Sequence, residues 1–350
     1  MGRLLIFVLS LILPTGVTLS QALTITGVGD IMLGTNYPDD RLPANDGAHF
    51  LELVNPVLRA ADITFGNLEG VIMAGGIPQK TCSTPDVCFL FRSPPRYTAY
   101  LRDAGFDVLS LANNHTRDFG EEGRTASMAV LDQYGIRHSG RRGDIAMWEQ
   151  NDLAIALIAF SPTRESYLLN DIPTAEQEIL RLSSTHDIVI VSFHGGAEGP
   201  TATNLPFEEE FYFGETRGEV VRFSHAAVDA GADLVLGHGP HVPRALELYN
   251  ERLIAYSLGN FITHVGVSIS GIAGWTPILT VKIDQEGAFL SGRIDSALQS
   301  RVDGLIWDPD RQAYKLIKDL TEKTFGTDML RFETDGTFVA GEAGHTTDDG

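Results

Sequence analysis

Short runs of β-branched and apolar residues recur along the chain, and five of them end on residues able to donate to a metal. Leu23–Gly29 ends at Asp30, and Ile63–Phe65 leads to Asn67 and Glu69. Phe106–Leu111 leads to Asn113, Asn114 and His115, and Ile188–Phe193 to His194. Leu234–Leu236 leads to Gly237, His238 and then His241. Runs of this length and composition predict buried strands, as does the continuous apolar stretch Ala154–Phe160. Helical patterning falls between them, at Phe50–Ala60, at Pro95–Ala104 behind Pro94, at Glu121–Tyr134, at Ala175–Leu182 and at Glu215–Ala230 closed by Gly231. Gly135–His138 reads as a short edge strand.

Toward the end of the chain the pattern turns β-rich. Strands are expected near Ala245–Tyr249 and Leu253–Ser257, then a hairpin of Pro277–Ile283 and Ala288–Ile294 around Gln285-Glu286-Gly287. A helix over roughly Arg311–Leu320 precedes a polar tail, residues 341–350, that reads as disordered. Strand–helix alternation makes this an α/β chain with one main domain over residues 23–300 and an extension over 301–340. In an open parallel α/β sheet, ligands bind outside the carboxyl ends of the strands. Donors placed after successive strands therefore converge, and the pattern predicts a metal centre.

Composition narrows the partners. The chain has 350 residues, 43% of them hydrophobic, enough for one sizeable core. A formal net charge of −20 excludes the Lys/Arg-rich surface that nucleic acid requires. An anionic substrate would have to meet local positive charge, from a metal or from arginines. Arg92, Arg96 and Arg117 lie in site-bearing segments and are candidates for substrate binding; the alternative is that they are solvated surface residues.

Arg3, the apolar run Leu4–Leu13 and Ser20-Gln21-Ala22 have the layout of a secretory signal peptide over residues 1–22, with an uncleaved N-terminal anchor as the alternative. The run is shorter than the about 20 residues of an ordinary membrane-spanning helix. The expected location is therefore periplasmic or extracellular. Cys82 and Cys88 are the only cysteines, and in an exported protein such a pair is expected to form a disulfide.

Imidazole, carboxylate and amide donors without thiolates suit Mn, Fe or Zn, as one ion or two. Two ions about 3.5–4 Å apart can clamp both oxygens of a phosphoryl displacement, and Asp30 or Glu69 could bridge them. Asn114 would donate its amide oxygen. His115 is placed to act as general acid, with Asp118 orienting its ring. Each signal has a plainer reading: Asp30 as a turn cap, Asn113-Asn114 as turn residues, His194 as a core histidine. Gly27-x-Gly29 lacks the rest of a dinucleotide fingerprint, and no phosphate-loop lysine follows it.

The motifs Gly29-Asp30-Ile31-Met32, Gly66-Asn67-Leu68-Glu69, Asn113-Asn114-His115 through Asp118, His194-Gly195-Gly196 with Glu198, Gly237-His238-Gly239-Pro240-His241 and Tyr256-Ser257-Leu258-Gly259-Asn260-Phe261 resemble the CapA-type poly-γ-glutamate capsule synthesis proteins. That family lies within the calcineurin-like metallophosphatase superfamily. The resemblance implies a four-layer α/β/β/α sandwich. It implies a metal shell of Asp30, Glu69, Asn114, His194, His238 and His241, with Asn67 as a further ligand and His115 as proton donor. Glu198 is a pocket residue by resemblance, or else a solvated loop acid. Met32 stands where ordinary metallophosphatases carry a histidine, and Asn67-Leu68-Glu69 replaces their Gly-Asp block, which removes a nitrogen ligand from one metal position.

Two functions are then expected from different classes. One is an exported metal-dependent hydrolase of phosphoester type, or of γ-glutamyl amides, acting on an anionic capsule or cell-surface polymer. The other is a non-catalytic metal-binding component of a membrane capsule-synthesis or export complex.

Overall fold

The computed structural model describes residues 22–80 and 89–342. The proposed signal segment, Cys82, Cys88 and most of the polar tail lie outside the described residues. Two sheets organise the remainder. In the larger, ten-stranded sheet, Leu23–Met32 is central. It runs parallel to Ile63–Leu68, which pairs in parallel with Val108–Ser110 and then Arg137–Ser139. Its other neighbours are Asn260–Thr263, parallel to its carboxyl end, and the antiparallel Trp275–Ile283. The second sheet has Ile188–His194 between Leu153–Ser161 and Leu234–His238, all parallel, with Arg252–Ala255 beyond. Antiparallel strands Ala146–Gln150 and Leu246–Tyr249 close its edges.

Strand alternation explains the apolar runs. Ile188 and Ile190 face a cluster shared between the sheets, with Ile25, Phe65, Leu236 and Leu279. Val189 and Val191 face the other way, against Ile179, Leu182, Phe223 and Ala227 on the outer helices Ile172–Ser183 and Val220–Asp229. Val28, Ile31 and Leu109 similarly meet Tyr97, Leu101 and Leu131 from Tyr97–Ala104 and Gly120–Gln133. A strand buried on both faces must be apolar throughout. The result is the expected α/β/β/α sandwich. The helix Gln312–Phe325 puts Tyr314 and Ile317 into the inter-sheet cluster and Leu320 into an outer one, so the extension completes the core.

Two helix expectations need correction. Phe50–Ala60 is mostly turns with one helical stretch, Asn55–Leu58, because Pro56 interrupts the run; Phe50, Leu51, Val54 and Leu58 are nevertheless buried as an amphipathic face would be. Glu215–Ala230 is divided. Glu215–Gly218 forms a small hairpin with Glu210–Tyr212, and the helix starts only at Val220. Gly218, at φ +90°, makes the break. The separation puts Arg217 on a strand beside the site rather than on a helix.

At the carboxyl end of the central strand the register shifts between Gly27 and Asp30 and again between Asp30 and Ile31. Such irregularities re-aim a side chain, here that of Asp30. The segment ending at Gly259 crosses directly over Gly29, and the Asp30 amide donates to the Gly259 carbonyl at 2.9 Å. A Cβ on Gly29 would stand 2.1 Å from that carbonyl oxygen.

Two consequences can be measured. Gly29→Ala should lower the unfolding free energy by about 1–3 kcal/mol, the usual cost of forcing atoms into a filled site, in urea denaturation. A change below about 0.5 kcal/mol would mean the crossing segment moves aside freely. The second concerns His138, whose ring contacts Asp144 at 2.9 Å and Asp132 at 3.3 Å. Burial disfavours its charge, but the bond and charge of Asp144 and the charge of Asp132 outweigh it and hold the imidazole above its ordinary 6.5. A raised histidine stabilises the fold fully below 6.5 and loses that contribution as pH rises through the folded value. The stability of the native protein relative to His138→Gln should therefore be greatest below pH 6.5 and shrink as pH rises above it, and a pH-independent difference would refute the pairing.

Candidate metal centre

The centre is assembled at the carboxyl ends of both sheets. Asp30 is fully buried and held from two sides. The Asn67 amide donates to its Oδ1 at 2.8 Å, and His241 Nδ1 donates to its Oδ2 at 2.9 Å. Asn113 in turn donates to Asn67 Oδ1 at 3.1 Å and to the Leu68 carbonyl at 2.9 Å. The Asn113–Asn67–Asp30 chain thus fixes the carboxylate through the ends of three adjacent strands. Burial favours the neutral acid, but the hydrogen bond and charge of His241 outweigh it and lower Asp30 to about 2.

His241 sits at φ +59°, a conformation that side chains rarely adopt and that is retained where surroundings enforce it. Asn260 helps to enforce it. Its amide nitrogen donates to the carbonyls of His241 and Ala273, leaving its oxygen 3.1 Å from His241 Nδ1. With Nδ1 so occupied, Nε2 points at Glu69, 3.6 Å away, and Glu198, 3.8 Å away. Burial disfavours the charged ring, yet Glu69 and Asp30 raise it to about 10. Asp30, Glu69 and His241 each offer a ligand atom within 4.8 Å of the others.

Several buried atoms of the strand-end residues have no hydrogen-bond partner: both carboxylate oxygens of Glu69, the Asn114 amide oxygen, His194 Nε2 and His238 Nδ1. Leaving a buried polar atom unpaired costs about 1–3 kcal/mol, more if charged, so several in one place require another occupant. The case of His238 is clearest. Its Nε2 lies 3.0 Å from the Val28 carbonyl, which can only accept, so Nε2 carries the proton and Nδ1 presents a bare lone pair. Burial holds His238 and His194 below the usual histidine range, keeping both rings neutral, with His238 Nδ1 the lone pair free to ligate and His194 Nδ1 3.4 Å from the Asn67 amide nitrogen. Carboxylate, amide oxygen and neutral imidazole together fit a divalent cation. Glu69, buried beside Asp30 and raised to about 8 chiefly by burial, is the carboxylate with most to gain from one.

His115 lies next to this shell. Its Nδ1 is 2.8 Å from Asp118 Oδ2, and Asp118 also accepts from the Phe91 amide at 2.7 Å. Phe91 stacks on the imidazole with ring centres 4.2 Å apart. Burial, assisted by the charge of Lys80, lowers His115 from its usual value against the opposing pull of Asp118. The ring is neutral with Nδ1–H on Asp118, so Nε2 is the atom free to exchange a proton. Lys80 is an addition to the sequence expectation: its Nζ is 3.2 Å from Asp118 and 3.3 Å from His115 Nδ1.

The arginines fall differently from expectation. Arg92 donates to Asn36 and to the Gly75 carbonyl and lies over Tyr37 and Phe119, 5.2 Å from each ring centre. Arg96 is paired with Asp46 at the surface, at 2.6 Å. Arg117 is half-exposed, 3.8 Å from Glu121. Among the described residues, none of these recorded contacts reaches Asp30, Glu69 or the site histidines. Arg217 comes close instead, with Nη2 2.8 Å from Glu198 Oε1 and a side chain 2% exposed. Its location was hidden by the helical pattern of Glu215–Ala230; the Arg217-Gly218 step was the only local sign. Asn113 and Asn260 stand in recognised motifs, but their bracing contacts depend on long-range packing.

The chain is 29% identical over 263 residues to "PGA biosynthesis protein CapA" of Bacillus subtilis, covering 70% of this chain and 64% of that one. It is 27% identical to "Capsule biosynthesis protein CapA" of Bacillus anthracis, over 71% of this chain and 61% of the relative. It thus spans just under two thirds of the length of these curated relatives. Among solved structures, a putative 5'-nucleotidase from Staphylococcus aureus overlays with a TM-score of 0.42 at 12% identity, covering 86% of this chain and 58% of that one. Residues 24–265 match the family described as "Bacterial capsule synthesis protein PGA_cap". With that match spanning the second sheet, the parallel strands of the larger one and every residue of the centre, the chain belongs to the PGA_cap family of bacterial capsule synthesis proteins.

Proposed function

We propose that this chain is an exported metal-dependent hydrolase that cleaves a phosphoester or γ-glutamyl amide bond in an anionic capsule or cell-surface polymer. One observation carries the reading: Asp30, Glu69 and His241 offer ligand atoms within 4.8 Å of one another, and the buried ligand atoms of Glu69, Asn114, His194 and His238 have no hydrogen-bond partner, in a chain that also holds the histidine–aspartate pair His115–Asp118. A purely structural site has no use for His115. The leader-like first 22 residues, cleaved or kept as an anchor, support export, where such a polymer would be met.

The chemistry divides among named residues. Asp30, Glu69, Asn114, His194 and His238 would hold a divalent ion of the Mn, Fe or Zn class, with His241 joining them only on giving up its Nε2 proton, and Asn67 braces Asp30. The ion would supply Lewis acidity toward a phosphoryl or acyl oxygen and an activated water. The Val28 carbonyl fixes the His238 tautomer, as outer partners do for ligating imidazoles. His115 Nε2, unprotonated in the resting ring, takes up a proton from water and passes it to the leaving group, while Asp118 holds Nδ1–H and stabilises the ring in its charged form. Phe91, stacked on that ring, shields it from water.

Metal binding and catalysis can be tested separately. Glu69→Ala should cut bound Mn or Zn at least tenfold by elemental analysis while the metal-free protein still folds, since the buried carboxylate it deletes has no hydrogen-bond partner and only a 3.6 Å charge contact with His241. Undiminished metal content would remove Glu69 from the ligand set. His115→Asn should keep metal content and fold but lower turnover by about 10²–10⁴. The loss should be smallest on substrates with activated leaving groups such as nitrophenolate, which need no protonation. Equal losses on good and poor leaving groups would show that His115 is not the proton donor, and a native protein inert to phosphoesters and γ-glutamyl amides with Mn, Fe and Zn would exclude the hydrolase reading.

A further inference from the structure

Arg124, Arg217 and Arg244 are among the largest fully buried side chains of the described residues. A buried guanidinium needs acceptors for its donors, and two of the three have them. Arg244 donates Nη1 and Nη2 to the two oxygens of Glu210, at 2.8 and 2.7 Å, and Nε to the Ala202 carbonyl at 2.6 Å. Arg124 is bound by Glu121 and the Glu165 carbonyl. Arg217 differs. Its Nε has no acceptor, and the close approach of Nη2 to Glu198 is not aligned as a hydrogen bond.

Arg217 is also held firmly in place. Gly196, two residues beyond His194, donates its amide to the Arg217 carbonyl at 2.8 Å. The positive charge acts on both Glu69 and His194. A fixed cation beside a cation-binding shell is repulsive unless an anion lies between them. Glu198 supplies part of that counter-charge, yet it is shared, with its second oxygen turned toward His241 at 3.8 Å.

We infer that Arg217 is the oxyanion anchor of the centre: its uncommitted N–H groups bind an oxygen of a phosphoryl or carboxylate group of the substrate, with Glu198 steadying the guanidinium. This assignment rests on the hydrolase reading for the identity of the substrate but not for the binding itself. A planar guanidinium matches both oxyanions in geometry, and charge-assisted hydrogen bonds in a buried site are the strong ones. It also resolves how a chain of net charge −20 admits an anion: the positive charge is kept inside, at the point of contact.

The test uses the full chain with Mn supplied, titrated calorimetrically with inorganic phosphate and, in a parallel arm, with acetate. Native protein should bind at least one of the two, and Arg217→Gln should weaken that binding by about tenfold to hundredfold at unchanged Mn content. Arg217→Lys, which keeps the charge but loses the planar fork, should fall between. Preference for phosphate assigns the anchor to phosphoryl groups, and preference for acetate to carboxylates; both keep Arg217 in the role. Should Arg217→Gln fail to fold, Arg217→Lys and the phosphate-induced rise in melting temperature of the native protein decide. Equal anion affinity in native protein and variants, or no anion binding by the native protein, overturns the assignment. Neither readout involves turnover, so an inert but anion-binding protein would refute the hydrolase reading alone.

Discussion

A carboxylate with no access to water governs this structure. Asp30 ends the central strand of the larger sheet, fully buried, and can stay ionised there only if its surroundings supply what water would have supplied. Asn67 and His241 do so, and each is anchored in turn, Asn67 by Asn113 and His241 by Asn260. These partners come from the ends of adjacent strands and from the segment that joins the two sheets. Holding one charge in place therefore requires the sheets to meet at their carboxyl ends.

That requirement accounts for local features that would otherwise look like defects. The register shifts around Asp30 turn its side chain toward the junction. Gly29 has no side chain because the Gly259 carbonyl passes where one would be. His241 accepts a strained backbone because its Nδ1 must reach Asp30 while its Nε2 faces Glu69. Most unpaired buried polar atoms of the described residues belong to the site-bearing side chains, while the strands behind them are packed and apolar. A stable framework can carry the cost of a site whose donors are left open for an occupant.

The surroundings also separate the roles of chemically similar residues. Histidines 194, 238 and 241 face the same small volume, but burial keeps the first two neutral while two carboxylates charge the third. His115, one residue from Asn114, is turned to Asp118 and Phe91 instead. Arg217 and Arg244 are both buried and both near a glutamate. Only Arg244 has its donors satisfied, which marks it as framework and leaves Arg217 for a ligand.

Much of this was legible in the chain itself. Strands buried on both faces have to be apolar throughout, so their ends, and the polar residues following them, stand out in a linear reading. The layered α/β/β/α arrangement and the grouping of Asp30, Glu69 and His241 followed from that pattern and from motif resemblance. Amphipathic periodicity failed where one residue outweighs the average: Pro56 broke up a helix whose apolar face is real, and Gly218 divided a helical pattern into a hairpin and a shorter helix. The arginines were beyond its reach for a different reason. A guanidinium sits at the end of a long flexible stem, so its position along the chain hardly limits where its charge lies, and long-range packing placed Arg217 inside and Arg96 at the surface. Short, stiff groups at strand ends were determined by the sequence by itself; hydrogen-bond partners, tautomers and the destinations of long side chains were decided only by the tertiary structure, because they depend on what packing brings within about 3 Å.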